Sequence, residues 1–387
     1  MNRNPLSSRA AFVLSGAAGI LFLASGCVST RPPSPAAESE PSPTAAPTTP
    51  TAAASASDAA GESGCRRTLS PDAEAVLRYL DDLTWGDAPG VIAGQDCPQW
   101  NGICDPDAYQ YYIGNLHAGS GKWIGILHVD YEYTRMFSAA ELRAANKTLI
   151  AHWQAGGLVA VSWGPMNPWG LKIDRQYSGT DLDELLPGGS RRNYWLDSLD
   201  RVAQALAELR DAGVVVLWRP MQEMNGAVYW WAKRDGLWQA GHEEYIRLWR
   251  DLFRYFTCAK GLTNLLWVFS PAGDQTWSAY PYPGDAFVDI VAGTSYDDRL
   301  EIGGYADFLA FGKPAAVAEY GWGYADADGS HDNRLIVERL RKNYPRIGYW
   351  VSWNSWPGFK MSLVDNLFAD ELMNDPDVID RDEIRWR

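Results

Sequence analysis

Eight short apolar runs recur along the chain, each bounded by polar or turn residues. They are GVIAG (90–94), KWIGILHV (122–129), GLVAVSW (157–163), GVVVLWR (213–219), NLLWVFS (264–270), FVDIVAGT (287–294), PAAVAE (314–319) and IGYWVSW (347–353). Most are continuously hydrophobic, the pattern of parallel strands covered on both faces. Between them lie segments of helical period, such as SAAELRAANKTLIAHWQ (138–154). In YWLDSLDRVAQALAELRDAG (194–213) the positions Leu196, Leu199, Val202, Ala203, Leu206 and Leu209 form one apolar stripe, and Gly213 supplies a stop. Eight strands each followed by a helix predict an α/β fold, the (β/α)8 or TIM barrel. A doubly wound open sheet is the alternative, but no GxGxxG follows the first strand. A barrel would gather its functional side chains at the C-terminal ends of the strands.

The first residues read as an address rather than as part of the fold. A basic start with Arg3 and Arg9 precedes an apolar run at 11–26 that ends at Cys27, too short and too rich in small residues for a typical spanning helix. The segment Leu23-Ala24-Ser25-Gly26-Cys27 resembles the lipobox of bacterial lipoproteins, which implies lipidation of Cys27 after cleavage. Residues 28–64 are dominated by Pro, Ala, Ser and Thr, a composition that buries too little apolar surface to fold. The expected organisation is a signal peptide at 1–27, a tether at 28–64 and a catalytic domain at 65–387. The protein is expected to be exported and to meet the membrane only through its lipid anchor, with plain secretion as the alternative. Cys65, Cys97, Cys104 and Cys258 then suggest two disulfides, Cys97 and Cys104 being the natural local pair.

A net charge of −14 argues against a nucleic-acid partner, which would favour a basic face. Nineteen Trp and nineteen Tyr offer flat apolar rings with a polar handle, a surface on which sugar rings stack, although a Trp-rich core accounts equally well for the count.

The strand ends carry the chemistry. Glu223 follows strand four and Glu319 ends strand seven, positions that a closed ring brings across one pocket. Two converging carboxyls are what glycoside cleavage requires: one protonates the leaving oxygen and the other attacks the anomeric carbon. A hydroxyl from Tyr296 would keep Glu319 ionised as the nucleophile. Trp230, Trp231 and Met224 would desolvate Glu223 and keep it protonated as the acid. Only five His occur and none stands at ligand spacing to a carboxylate, so no metal and no cofactor is expected.

These residues resemble glycoside hydrolase family 26 over about 91–387. The likeness is carried by Gly94-Gln95, HVDYEY (128–133), GGLVAVSWGPMNP (156–168), WRPMQEMNG (218–226), GTSYDD (293–298), VAEYGW (317–322) and YWVSWNSW (349–356). The resemblance implies a retaining barrel with Glu223 as acid/base and Glu319 as nucleophile. It implies substrate contacts from Asp130, Trp163, Arg219, Gln222, Trp231, Tyr296 and Trp353. The implied activity is endo-β-1,4-mannanase, acting as a monomer on a β-linked polysaccharide or oligosaccharide. Xylan, mixed-linkage β-glucan and a non-catalytic carbohydrate-binding lipoprotein are the alternatives. Three positions depart from the family's pattern: Gln222 and Gly164 stand where His is usual, and Val228 where an aromatic is common. A cleft lined by Trp163, Trp230, Trp231, Trp322, Trp353 and Trp356 is expected, about half of these rings touching sugar.

Overall fold

The computed structural model describes residues 67–387 apart from 88–89, 134, 171–180, 227–228, 233–237, 274–280 and 326. The expectations for Cys27, the signal and tether segments, Cys65 and Val228 lie outside the described residues.

Eight parallel strands follow the predicted runs: β1 (Val91–Asp96), β2 (Ile126–Asp130), β3 (Leu158–Trp163), β4 (Val216–Pro220), β5 (Leu265–Phe269), β6 (Ile290–Tyr296), β7 (Ala315–Gly321) and β8 (Ile347–Ser352). Each pairs with its sequence neighbours, and β1 pairs with both β2 and β8, so the sheet closes into a barrel. Closure excludes the open doubly wound sheet. A two-residue strand, β9 (Val378–Ile379), adds to the start of β1.

The helices are α1 (Pro71–Trp85), α2 (Pro106–Tyr109), α3 (Asn115–Ser120), α4 (Ala139–Gln154), α5 (Arg192–Asp211), α6 (Trp238–Arg254), α7 (Tyr305–Ala310), α8 (Arg334–Asn343) and α9 (Ala369–Met373). The strict strand–helix alternation fails once. Between β5 and β6 the described residues hold only a 3-10 turn, Asp285–Phe287. Local chemistry sets the boundaries elsewhere. Ser138 and Glu141 form a capping box that starts α4, and Gly213, at φ +75°, takes the left-handed turn that ends α5 before the chain enters β4.

α1 precedes the first strand and crosses the N-terminal mouth of the barrel. Its leading Ser70 N–H donates to the Thr263 carbonyl just before β5. At its other end the Thr84 hydroxyl accepts from the Ala315 N–H at the start of β7. Ala73, Val76, Leu80, Leu83 and Thr84 are its buried face. One end of the barrel is thus closed by apolar packing, and polar side chains collect at the other. Leu80→Ala should lower the free energy of unfolding by roughly 2–5 kcal/mol, read from urea denaturation; a shift within error would show that α1 does not seal the core.

Candidate active site

Arg219, on β4, is the centre of the buried polar layer. Its Nη2 donates to Glu319 Oε2 at 2.7 Å and its Nε to Ser162 Oγ at 2.8 Å, with Ser270 Oγ 3.5 Å from Nη1. Burial would lower the guanidinium pKa, but the charges of Glu319 and Asp130 more than offset this and leave it raised. Glu319 has a second donor, the Tyr296 hydroxyl, 2.5 Å from Oε1. Burial first, then the charge of Glu319, holds the Tyr296 phenol well above its usual pKa, so it remains a donor. Two donors thus fix the orientation of one buried carboxylate.

Behind Arg219 runs a chain of hydrogen bonds: Ser162 Oγ to His128 Nε2 at 2.7 Å, His128 Nδ1 to Asp96 Oδ1 at 2.6 Å, and Asn354 Nδ2 to Asp96 Oδ2 at 2.5 Å. Burial lowers the His128 pKa to about 4, so the ring is neutral. Because Arg219 already donates to Ser162, the consistent assignment has Ser162 donating to Nε2 and Nδ1–H donating to Asp96. Burial raises the pKa of both Asp96 and Asp130.

Glu223 is held by different means. The Thr294 hydroxyl is 2.6 Å from its Oε1, and Thr294 stands in register with Glu319 across the β6–β7 pairing. The two carboxyls therefore converge on adjoining positions of the mouth. Both carboxyls lie close enough to act electrostatically on Tyr296 and Arg219, and on Tyr133 and Tyr229. The register shifts between Gly293 and Thr294, leaving an extra residue, Ala318, in β7 just before Glu319. Such a bulge re-aims the side chain that follows it.

The loop after β4 is strained. Met221 at φ +46° and Glu223 at φ +54° are both left-handed without being glycine, each costing about 1–3 kcal/mol. Surrounding bonds over-determine it. Met221 N–H donates to the Trp163 carbonyl and Glu223 N–H to the Ser270 carbonyl. Tyr245 Oη and Trp231 Nε1 donate to the carbonyls of Met221 and Gln222. Asn225 exchanges two bonds with the Ala272 backbone. Between the strained pair, both polar atoms of the Gln222 side chain are buried without a hydrogen-bond partner among the described residues, as is Asp130 Oδ1. Unpaired buried polar atoms are costly unless a ligand completes them.

Residues 107–383 match the model described as Glycosyl hydrolase family 26. The chain belongs to that family. It is 36% identical over 284 residues to mannan endo-1,4-beta-mannosidase A and B of Caldalkalibacillus mannanilyticus, covering 69% of this chain and 53% of that one. It is 32% identical over 249 residues to a mannan endo-1,4-beta-mannosidase of Bacillus subtilis, covering 62% and 66%. The chain thus spans about half the length of the first of these relatives and just under two thirds of the second. Among solved structures, the Bacillus subtilis mannanase BCman superposes with a TM-score of 0.72 at 25% identity, covering 81% of this chain and 93% of that one.

Within this family 26 barrel, Glu223, Glu319, Asp130, Arg219, Gln222 and Tyr296 come together at the mouth as anticipated. Trp353 joins them: its ring is 7% exposed and lies 5.8 Å from the Arg219 guanidinium. Two anticipated sugar contacts are corrected. Trp163 is wholly buried, stacked on Trp195 and Trp218, and its Nε1 donates to Glu132, the partner of Arg201 in a buried ion pair. Ser162 bonds into the barrel interior, so the next residue of β3 faces the helices. Trp231 is also buried, stacked on Tyr229 at 4.6 Å. Trp230 and Trp322 are likewise buried, Trp322 stacked on His331. Of the six anticipated cleft tryptophans, only Trp353 and Trp356 keep open surface at the mouth.

Ser162, His128, Thr294, Tyr133 and Tyr229 were not singled out from sequence. For Ser162 a signal existed: it is the polar residue in the otherwise apolar stretch 158–163. Thr294 had none, because its role depends on strand register. The Cys97–Cys104 disulfide forms as anticipated, and Cys258 is also disulfide-bonded. Tyr296→Phe, which keeps the ring and removes the donor on Glu319, should lower turnover about 10²–10³-fold with the circular dichroism spectrum unchanged; an unaltered rate would remove Tyr296 from the site.

Proposed function

We propose that this protein is a retaining glycoside hydrolase that cleaves internal β-1,4 linkages of mannan. The observation that carries the reading is the pairing of Glu319, anchored by Arg219 and Tyr296, with Glu223, held by Thr294 on the adjoining strand position. The substrate assignment draws on the relatives, which are mannan endo-1,4-beta-mannosidases. It also draws on the unpaired Gln222 and Asp130 atoms, which suit the hydroxyls of a sugar at the cleavage point.

In the first step a Glu319 oxygen attacks the anomeric carbon while the bond to the leaving oxygen breaks, and Glu223 gives that oxygen its proton. Glu319 then carries the sugar as an ester, and Glu223 is a carboxylate. In the second step water attacks the same carbon, Glu223 takes the proton, and the ester bond breaks to release the sugar with net retention. Arg219 and Tyr296 aim Glu319 at the anomeric carbon and donate to its oxygens again as it leaves. The strained backbone at Glu223 fixes the direction from which the proton arrives. We further propose that lipid on Cys27 anchors the exported protein to a membrane.

Incubation with mannan, galactomannan, xylan and mixed-linkage β-glucan, with products sized, tests the substrate. Internal cleavage of mannan is expected, and products from xylan or β-glucan alone would overturn the sugar while leaving the mechanism. Glu319→Ala should reduce turnover by about four orders of magnitude or more and leave oligosaccharide binding measurable by calorimetry. Sugar release at the original rate would refute the nucleophile.

A further inference from the structure

Beside the catalytic mouth lies a second aromatic surface that the two-step reaction does not use. It begins at Trp356, whose ring is 6.5 Å from Tyr296 and 6.2 Å from Tyr324, itself 55% exposed and stacked on Tyr296. The neighbouring Ser355 carbonyl accepts from the Tyr112 hydroxyl. Tyr112 packs edge-on against Tyr111, and both hold Trp100, at 5.7 and 5.6 Å between centroids. The Tyr111 hydroxyl is fixed by Asp365, which also pairs with Lys360. Two aromatic groups, one from Tyr296 to Trp356 and one around Trp100, are thus joined through the Tyr112–Ser355 hydrogen bond.

Trp100 is 48% exposed, yet its loop is rigid. Asp96 ends β1, and the next residue, Cys97, is bonded to Cys104. Gln99 and Ile103 form an antiparallel bridge inside the closed loop. The Gln99 amide donates to the Asp130 carbonyl, tying the loop to the mouth. An open indole face on a covalently closed loop is expensive to display and entropically cheap to bind with. We propose that Trp100 is the platform of an outer subsite, stacking one pyranose ring of a chain whose cleaved bond lies at Glu319. This rests on the mannan-hydrolase reading.

The test compares mannohexaose with mannotriose for the wild type, Trp100→Ala and Trp100→Phe. Trp100→Ala should lower kcat/KM on mannohexaose on the order of tenfold, through KM, with mannotriose unchanged and Trp100→Phe close to wild type. An equal loss on both lengths, or no loss on mannohexaose, overturns the platform. If the wild type cleaves cellohexaose or xylohexaose instead, the mannan reading falls, and the same length comparison on that series supports or overturns the platform. Sedimentation showing a wild-type dimer that Trp100→Ala converts to a monomer would also overturn it, since the ring would then be a protein contact.

Discussion

A guanidinium sealed inside a barrel has to be neutralised and has to have its donors filled, and much of this mouth is the consequence. Arg219 enters from β4 and meets Glu319 on β7, an ion pair that spans the barrel interior. Removing either partner would strand a buried charge, a loss of roughly 3–5 kcal/mol. The remaining donors recruit Ser162 and Ser270, and Ser162 in turn recruits His128, Asp96 and Asn354. Polar residues at the inner ends of β1, β2, β3, β5 and β8 are thus bound into one network around one cation. The network fixes the Glu319 carboxylate in place at the mouth.

The second carboxyl is governed by backbone rather than by charge pairing. Glu223 sits on a loop whose left-handed residues would relax if they were not pinned by carbonyl and side-chain bonds from β3, β5, α6 and the turn at Trp231. This explains why so many aromatics surround it without facing the cleft. Trp163 stacks on Trp195 and Trp218, Trp230 packs edge-on against Trp195 and Trp231, and the indole N–H groups, where bonded, donate to backbone carbonyls or to Glu132. They are the stiff wall behind Glu223, and the rings left at the mouth are Trp353, Tyr296, Tyr324 and Trp356.

The barrel was legible because buried parallel strands write themselves as apolar runs, and because a ring of eight has few ways to be assembled. The two glutamates were legible for the same reason: they interrupt such runs at their C-terminal ends. The helix expected between β5 and β6 is replaced, among the described residues, by a 3-10 turn. Periodicity there offered no sustained stripe to argue from.

The sequence by itself determined the strand order, the convergence of Glu223, Glu319, Arg219 and Tyr296 on one mouth, and the local Cys97–Cys104 crosslink. These follow from hydrophobic period and short spacing. The tertiary structure decided which face each ring presents and which hydroxyl reaches which carboxyl. Trp163 faces the helices because strand alternation turns it away from Ser162. Glu319 comes opposite Thr294, whose hydroxyl bonds Glu223, because one extra residue at Ala318 resets the β6–β7 register. Both outcomes depend on contacts between segments far apart in the chain, which no local pattern encodes.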